Sequence, residues 1–349
     1  MIRPVLWKNN AVVLIDQNAL PQIERHVICT DYRQVIACIK DLTVRGAPAI
    51  GVAAALGAAL GAGSLRETSA ETFRMRFKKI CNEIAAARPT ARNLFWALER
   101  MEKCLDAALA EGRKNPAKLL IDEAKRLCAE DIEINKTMGK NGCALLADGD
   151  HVLTHCNAGA LATAGFGTAL GVVRAARDEG KKLHVYVDET RPVLQGARLT
   201  AWEMKKEKIP ATLICDNMAG FLMQQGKINK VIVGADRIAQ NGDTANKIGT
   251  YSLAVLAAAH GVPFYVAAPV STFDFSLKSG ADIPIEERSS EEVASFRGKR
   301  AAPQGMPVYN PAFDVTPATL ITAIITEYGV IAKPTRKNLA GLQKEKRRR

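Results

Sequence analysis

The sequence predicts an α/β protein whose C-terminal part is a Rossmann-like, doubly wound parallel sheet and whose N-terminal domain is mainly helical with a small β element. Residues 69–141 show an almost continuous helical pattern. After residue 148, short apolar runs alternate with helical patterns, which is typical of a parallel sheet covered by helices on both faces. The stretch from His151 to Gly171, HVLTHCNAGALATAGFGTALG, combines a strand, a loop of small residues and a helix start.

The N-terminal domain is predicted to span residues 1–140. Its small β element includes a strand at residues 11–15, and a short helix is expected at residues 35–39. Helical patterns then fill most of the domain, at residues 71–87, 93–112 and 119–138.

An Ala/Gly-rich run from Ala47 to Gly63 predicts a further helix in this domain. It follows Arg45 and Gly46, and Pro48 suits the first turn of a helix. The run is nearly long enough to span a bilayer, but its alanines and glycines make it only weakly hydrophobic. We therefore expect a buried helix and no membrane segment.

The catalytic domain is predicted to span residues 141–332. Five apolar runs predict its strands, at residues 151–154, 183–187, 211–215, 230–234 and 263–267. Helical patterns separate them, at residues 167–179, 197–207, 218–225 and 247–260. Residues 271–310 look irregular, and residues 318–325 predict a last helix.

The net charge of +12 lies largely at the C-terminal end of the chain. Residues 333–349 contain eight basic residues and a single acid, Glu345. Frayed, solvated tails commonly have this composition, so we expect a basic tail here and no nucleic-acid partner.

The eight cysteines predict reduced thiols rather than a metal or disulfide framework. None of them forms a CxxC pair, and no N-terminal run resembles a signal peptide. We therefore expect a cytoplasmic protein without a structural metal, in which most cysteines fill the core.

Polar residues gather where the predicted strands end, which is the edge at which open parallel sheets bind ligands. Cys156 follows the first strand, Asp188 and Gln195 follow the second, and Asp236 follows the fourth. Asn246 and Lys247 are expected to open the next helix. This distribution predicts a site for a small polar ligand at that edge.

Each of these residues also has a purely structural interpretation. Cys156 can be a core thiol, Asp236 a helix cap, and Arg45 the partner of a carboxylate. Gly165 and Gly167 resemble a dinucleotide-binding motif, but the next glycine comes one residue too late for GxGxxG. His155 adjoins Cys156, yet neighbouring strand residues point to opposite faces, so it need not be its partner.

Several segments together resemble the methylthioribose-1-phosphate isomerase family. They are RGAPAIGVAAALG, THCNAGALATAGFGTALG, VYVDETRPVLQGARLTAWE, VIVGADRIAQNGDTANKIGTYSLA and PFYVAAP. This family is related to the regulatory subunits of translation initiation factor 2B and to ribose-1,5-bisphosphate isomerase. The cysteine of HCNAG and the aspartate of GADRI are typical of the isomerases.

The resemblance implies a homodimeric isomerase that converts 5-methylthioribose 1-phosphate to 5-methylthioribulose 1-phosphate in methionine salvage, without a cofactor. It implies that Cys156 and Asp236 are catalytic. It also implies a set of substrate-binding residues: Arg45, Gly46, Ala47, Arg88, Gln195, Asn246 and Lys247.

The chemistry of the substrate leaves the reaction route open. The phosphate occupies the anomeric oxygen, so an acid such as Asp236 must assist departure of the ring oxygen. The C2 hydrogen then moves to C1 either through a base and an enediol or as a hydride, and the apolar loop beside Cys156 favours hydride transfer because it disfavours a stable thiolate.

Two alternative functions remain open at this stage. One is isomerisation of another 1-phosphorylated pentose, such as ribose 1,5-bisphosphate or 5-deoxyribose 1-phosphate. The other is a non-catalytic regulatory subunit related to translation initiation factor 2B, against which the presence of both Cys156 and Asp236 argues.

Overall fold

A computed structural model describes residues 1–66, 69–88, 91–296 and 298–348, with side chains up to residue 343 near the C-terminus. The chain is a mixed α/β protein that divides into two compact units. The first comprises Met1–Thr137 and Gly159–Gly171, and the second Met138–Ala158 and Val172–Arg349. The loop of small residues after Cys156 therefore belongs to the first unit, while the predicted domain limits stay a prediction.

The first unit is mainly helical, as the sequence predicts. An antiparallel sheet of three strands lies at its N-terminal end, in the order β1-β2-β3. The elements of this unit in the described residues are β1 (Val5–Lys8), β2 (Ala11–Ile15), β3 (His26–Cys29), α1 (Tyr32–Lys40), α2 (Ala47–Ser64), α3 (Ala70–Ala85), α4 (Arg92–Ala110) and α5 (Pro116–Cys143), of which the last six residues belong to the second unit.

Helix α2 forms the centre of the first unit's core. Every residue from Ala47 to Ala62 is buried, and Pro48 lies in the first turn, as predicted. Among the described helices, α2 alone is long and apolar enough to cross a membrane, but 89% of its apolar window is buried inside the protein. Its small side chains allow neighbouring backbones to approach closely: a Cβ at Gly51 would lie 2.8 Å from the Asn93 carbonyl oxygen.

The second unit is built on a seven-stranded sheet in the order β16-β15-β10-β7-β4-β5-β6. All neighbouring strands are parallel except the β15–β16 pair. The strands of this sheet are β4 (His151–Thr154), β5 (His184–Asp188), β6 (Ala211–Ile214), β7 (Lys230–Val233), β10 (Phe264–Ala267), β15 (Ala323–Thr326) and β16 (Gly329–Ala332). The five predicted strands are confirmed, each to within one residue.

Short elements complete the second unit. Four strands form a separate sheet in the order β11-β8-β9-β14, and two form the hairpin β12–β13. These elements are α6 (Ala169–Asp178, whose first three residues belong to the first unit), α7 (Ala201–Lys206), α8 (Ala219–Gln224), β8 (Arg237–Ala239), β9 (Thr244–Lys247), α9 (Thr250–Ala259), β11 (Phe273–Asp274), α10 (Glu291–Ala294), β12 (Ser295–Phe296), β13 (Lys299–Arg300), β14 (Phe313–Thr316) and α11 (Arg336–Arg348).

Two predictions near Asp236 and the C-terminus were wrong about element type. Asn246 and Lys247 do not open a helix but end strand β9, which pairs with both β8 and β14. Residues 318–325 are not a helix: after a single 3₁₀ turn the chain enters strand β15, whose residues are all buried. The second segment is a short apolar run, for which sequence periodicity does not distinguish a strand from a helix, whereas β9 is largely polar and becomes a strand by pairing with β8 and β14.

The C-terminal segment was also predicted incorrectly, as a frayed tail. Helix α11 begins at Arg336, and Leu339 and Leu342 are buried in the core of the second unit. Two leucines three residues apart form an apolar stripe, and burying that stripe stabilises the helix despite its many basic residues.

Candidate active site

Cys156 has a left-handed backbone conformation at the end of strand β4. Its φ is 63°, a region that non-glycine residues rarely occupy. Its N–H donates to Thr190 Oγ1 at 2.8 Å, and its carbonyl accepts from Thr200 Oγ1 at 2.7 Å. Two hydroxyls from distant parts of the chain thus stabilise a conformation that costs energy, as is common for residues at functional sites.

Asn157, the next residue, is fixed by a buried ion-pair network. Its Nδ2 donates to Glu203 Oε1 at 2.8 Å and also to Thr200 Oγ1. The other carboxylate oxygen of Glu203 accepts from Arg174, which also pairs with Glu207. Because Glu203 and Arg174 are buried, these bonds satisfy charges that would otherwise be costly in the core, and they orient the backbone that follows Cys156.

The loop after strand β5 supplies the hydroxyl that binds Cys156. Thr190 also has a positive φ of 64°, and its N–H donates to Asp216 Oδ1 at 2.7 Å. The N–H of Arg191 donates to the other Asp216 oxygen at 2.7 Å. Asp216 follows strand β6, so residues after three neighbouring strands form one chain of hydrogen bonds ending at Cys156.

Gln195 lies in the same region, directly before a π-helical turn at Gly196–Thr200. Its side chain is only 5% exposed, and within the described parts of the chain its Oε1 has no hydrogen-bond partner. Gly196 brings this turn against strand β5, since a Cβ there would lie 1.7 Å from the Asp188 carbonyl oxygen. A buried, unpaired amide oxygen is costly, and π-helical turns are frequent at functional sites.

Asp236 and Asn246 lie on one hairpin. The N–H of Asp236 donates to the Ala245 carbonyl at 2.9 Å, and Arg237 pairs with Ala245 across β8 and β9. Asp236 follows strand β7, which is the parallel neighbour of β4. Asp236 and Cys156 therefore leave the carboxyl ends of adjacent strands, at the same edge of the sheet.

Strand β14 supports the turn that follows Lys247. Lys247 is buried; its Nζ donates to the Ala312 carbonyl at 2.8 Å and lies 4.7 Å from the centre of the Phe313 ring. Asp314 accepts from the N–H groups of Gly249 and Tyr251, at 2.7 and 3.1 Å, and so caps helix α9. Sequence reasoning missed these supports because they lie some 65 residues away from the groups they bind.

His155 is completely enclosed and pairs with Asp188. Its Nδ1 lies 2.9 Å from Asp188 Oδ2, and its Nε2 lies 2.8 Å from the Ile248 carbonyl oxygen. Burial lowers the pKa of His155, but the hydrogen bond to Asp188 and that carboxylate's charge outweigh it, so the pKa is raised. Burial raises the pKa of Asp188 to about 6.

His155, Asp188 and Asp216 have ligand-type atoms within 4.8 Å of one another. Both ring nitrogens of His155 and both oxygens of Asp216 already have hydrogen-bond partners in the protein. We therefore interpret this group as a hydrogen-bonded network and assign no metal to it.

The other residues assigned by resemblance lie in the first unit. Gly46 precedes helix α2 with a φ of 93°, and a Cβ there would lie 2.5 Å from Ala162 Cα, so both conformation and space require glycine. Arg45 and Arg88 are half-buried and Ala47 is buried. Arg88 is followed by residues 89 and 90, which are outside the described residues.

The loop of small residues offers fewer free N–H groups than its sequence suggests. The N–H groups of Gly165 and Gly167 both donate to Thr163 Oγ1, at 3.1 and 3.0 Å, and that of Ala164 donates to Asp131 Oδ2 at 2.7 Å. A loop of small residues before a helix start can bind a phosphate through free N–H groups, but these three N–H groups already donate to the protein's own acceptors.

The chain belongs to the initiation factor 2 subunit family, whose model matches residues 43–333. It is 58% identical to methylthioribose-1-phosphate isomerase of Syntrophus aciditrophicus (strain SB) over 355 residues, covering 97% of each chain. It is 59% identical to methylthioribose-1-phosphate isomerase of Fervidobacterium nodosum over 342 residues, again covering 97% of each. Within the wider family, the chain therefore belongs to the methylthioribose-1-phosphate isomerases.

Solved structures from the same wider family match the fold of this chain. The crystal structure of 5-methylthioribose 1-phosphate isomerase from Pyrococcus horikoshii OT3 matches with a TM-score of 0.90 and 48% identity, covering 99% of this chain and 96% of that one. A structure from A. fulgidus described as translation initiation factor eIF-2B, subunit delta, matches with a TM-score of 0.87 and 46% identity, covering 99% and 100%.

Proposed function

We propose that this protein is an aldose–ketose isomerase that converts 5-methylthioribose 1-phosphate to 5-methylthioribulose 1-phosphate in methionine salvage. The observation that carries the proposal is the 58% identity to an isomerase of that name over 97% of both chains. The geometry of the second unit supports it, because Cys156 and Asp236 follow adjacent parallel strands and Cys156 is fixed by two hydroxyls.

Asp236 acts as the acid and Cys156 shapes the reacting site. Asp236 donates a proton to the ring oxygen, and the bond from that oxygen to C1 breaks, leaving C1 electron-poor. The C2 hydrogen then moves to C1 as a hydride with its electron pair. The C2 hydroxyl becomes the ketone, and its proton returns to the Asp236 carboxylate, so no external acid or oxidant is consumed.

The substrate is bound by residues from several elements. Gln195 supports this role best, because its buried Oε1 can accept a hydrogen bond from a sugar hydroxyl. Lys247 brings a buried positive charge, which attracts a phosphate. We also assign Asn246, and in the first unit Arg45, Gly46, Ala47 and Arg88, to substrate binding on the strength of the family resemblance.

We also propose a Rossmann-like fold, a homodimeric assembly and a cytoplasmic location. Numbered along the chain, the parallel strands of the large sheet follow the order 3-2-1-4-5-6, which supports a Rossmann-like fold. We expect a homodimer, and the exposed apolar side chains of Met218, Phe221, Tyr251 and Val255 are consistent with a protein-binding face. A cytoplasmic location is expected from the metabolic role.

A substrate panel tests the proposal against its nearest alternative. The purified protein is offered methylthioribose 1-phosphate, 5-deoxyribose 1-phosphate and ribose 1,5-bisphosphate, and kcat/KM is measured for each. We expect the highest value for methylthioribose 1-phosphate. A preference for the bisphosphate would contradict the assignment of the C5 substituent while keeping the isomerase chemistry.

A regulatory subunit is the second candidate function, because the similar structure from A. fulgidus is described as subunit delta of eIF-2B. Failure to convert any compound of the panel would favour this candidate. Ligand binding without turnover would favour it further.

A further inference from the structure

The contacts of His155 require a second proton, which lies in its hydrogen bond to Asp188. The Ile248 carbonyl can only accept, so Nε2 of His155 carries a proton. Nδ1 faces a carboxyl oxygen of Asp188 at 2.9 Å. A bare nitrogen lone pair facing an ionised carboxylate would be repulsive, so a proton must also lie between these two groups, on either Nδ1 or Asp188.

The extra proton matters because His155 and Asp188 lie between segments that carry proposed site residues. His155 lies between strand β4 and Cys156, and its ring contacts the turn after Lys247, where a Cβ on Gly249 would lie 3.0 Å from its Nε2. Asp188 ends strand β5, directly before the loop whose Thr190 hydroxyl binds the Cys156 N–H. One imidazole therefore joins three segments that carry proposed site residues.

We propose that His155 and Asp188 form a positioning pair that shares one buried proton. The pair thereby holds the segment from strand β4 to Cys156 against the turn that follows Asn246 and Lys247. This role rests on the proposed function, since it concerns the alignment of Cys156 with the substrate-binding residues. His155 acts through these neighbours and does not itself touch the reacting atoms.

Charged groups around the pair favour retention of the proton. Asp216 and Glu189 lie near Asp188, and the charge of Asp216 raises the pKa of His155 further. Asp314, which caps helix α9, also lies near enough for the charge of His155 to act on its pKa. All three neighbouring groups are acidic, so they stabilise a positive charge on the pair and oppose its loss as the pH rises.

The Asp188→Asn variant tests the role of the shared proton separately from the role of the hydrogen bonds. An asparagine amide can donate to Nδ1 while a neutral His155 still donates to Ile248 through Nε2, so both contacts survive without the shared proton. Asp188→Ala and His155→Gln remove contacts outright. His184→Gln is the matched control, because His184 lies at the opposite end of strand β5 and bonds to Thr212.

The activity arm measures kcat and KM from about pH 6 to about pH 10. We expect Asp188→Ala and His155→Gln to lower kcat/KM by about tenfold or more, since small misplacements of reacting groups are costly. Wild-type kcat/KM should decrease at alkaline pH, where the shared proton is lost. Asp188→Asn should recover most of the loss seen in Asp188→Ala and should lack this alkaline decrease. His184→Gln should behave as the wild type does. Wild-type kcat/KM in Asp188→Ala, or an unchanged alkaline decrease in Asp188→Asn, would overturn the proposal.

The stability arm needs no substrate, so it tests the pair even if the proposed activity fails. Because the folded pKa of His155 is raised, its contribution to stability is complete below the ordinary histidine pKa and is lost as the pH rises through the raised value. The Tm advantage of the wild type over Asp188→Asn should therefore shrink with increasing pH. A pH-independent difference would show that no such proton is held.

Discussion

Cys156 is the residue whose replacement tests the proposed chemistry most simply. Cys156→Ser preserves the shape of the side chain and the backbone bonds to Thr190 and Thr200 but removes the thiol. We expect kcat to fall by about a hundredfold or more with little change in KM, as for a group that acts in the transition state. Steady-state kinetics check this, with Cys215→Ser as control, because Cys215 is an exposed thiol that follows strand β6 of the same sheet.

A Cys156→Ser protein with near wild-type turnover would exclude the thiol from the mechanism. Equal losses in both cysteine variants would instead indicate a general effect on folding, which thermal unfolding would reveal.

Isotope transfer distinguishes the two routes for the C2 hydrogen. With substrate deuterated at C2 and run in ordinary water, hydride transfer predicts that the deuterium is found at C1 of the product. NMR of the product measures this retention. Extensive loss of deuterium to solvent would contradict the hydride route and make Cys156 the leading candidate for the base.

At the residue scale, the sequence predicted which side chains approach the sheet edge but not what fixes them. The position of Cys156 and Asp236 follows from the rule that ligands bind at the carboxyl ends of parallel strands. The hydroxyls of Thr190 and Thr200 and the carboxylate of Asp314 act over long sequence distances. No local pattern encodes such contacts, so only the fold reveals them.

Among the elements, the π-helical turn after Gln195 depends on one glycine. Gly196→Ala would place a Cβ 1.7 Å from the Asp188 carbonyl oxygen, so the turn or the strand must move. We expect a loss of about 1–3 kcal/mol in the free energy of unfolding, as for overpacked cores, and a higher KM through Gln195. Chemical unfolding and kinetics measure the two effects.

Gly341→Ala is the control for this substitution. It lies in helix α11 with nothing within 4 Å of the new Cβ, so it should leave stability unchanged or raise it slightly. If Gly196→Ala were as stable and as active as this control, the close approach to Asp188 would not matter.

Helix α11 provides the second prediction at this scale. Leu339 is buried in the core of the second unit, so Leu339→Ala should cost about 2–5 kcal/mol of unfolding free energy. Lys337→Ala, an exposed neighbour in the same helix, should have little effect. Equal stability of the two variants, measured by chemical unfolding, would restore the interpretation of this segment as a frayed tail.

The helices of the first unit were predicted correctly because their periodicity extends over many residues. Five strands of the parallel sheet were predicted correctly because their apolar runs alternate with helical patterns. Strand β15 was missed because its apolar run is equally compatible with a helix, and β9 was missed because its sequence, TANK, is largely polar. Both become strands by pairing with distant strands. The composition of α11 concealed its two buried leucines among basic residues.

At the scale of the whole molecule, proteins that share this fold are described with different functions. The A. fulgidus structure described as a subunit of eIF-2B and the P. horikoshii isomerase both match this chain over 99% of its length. The fold alone therefore does not distinguish catalysis from regulation, and the assignment depends on the sequence identity to the isomerases.

The most direct measurement of the central claim is a time course of wild-type protein with methylthioribose 1-phosphate, followed by NMR, beside Asp236→Asn. The exposed acid Asp282, exchanged for asparagine, serves as the control. We expect the wild type and Asp282→Asn to form the ketose with no added cofactor, and Asp236→Asn to be slower by about a hundredfold or more. Absence of the ketose with the wild type, or wild-type rates in Asp236→Asn, would contradict the account.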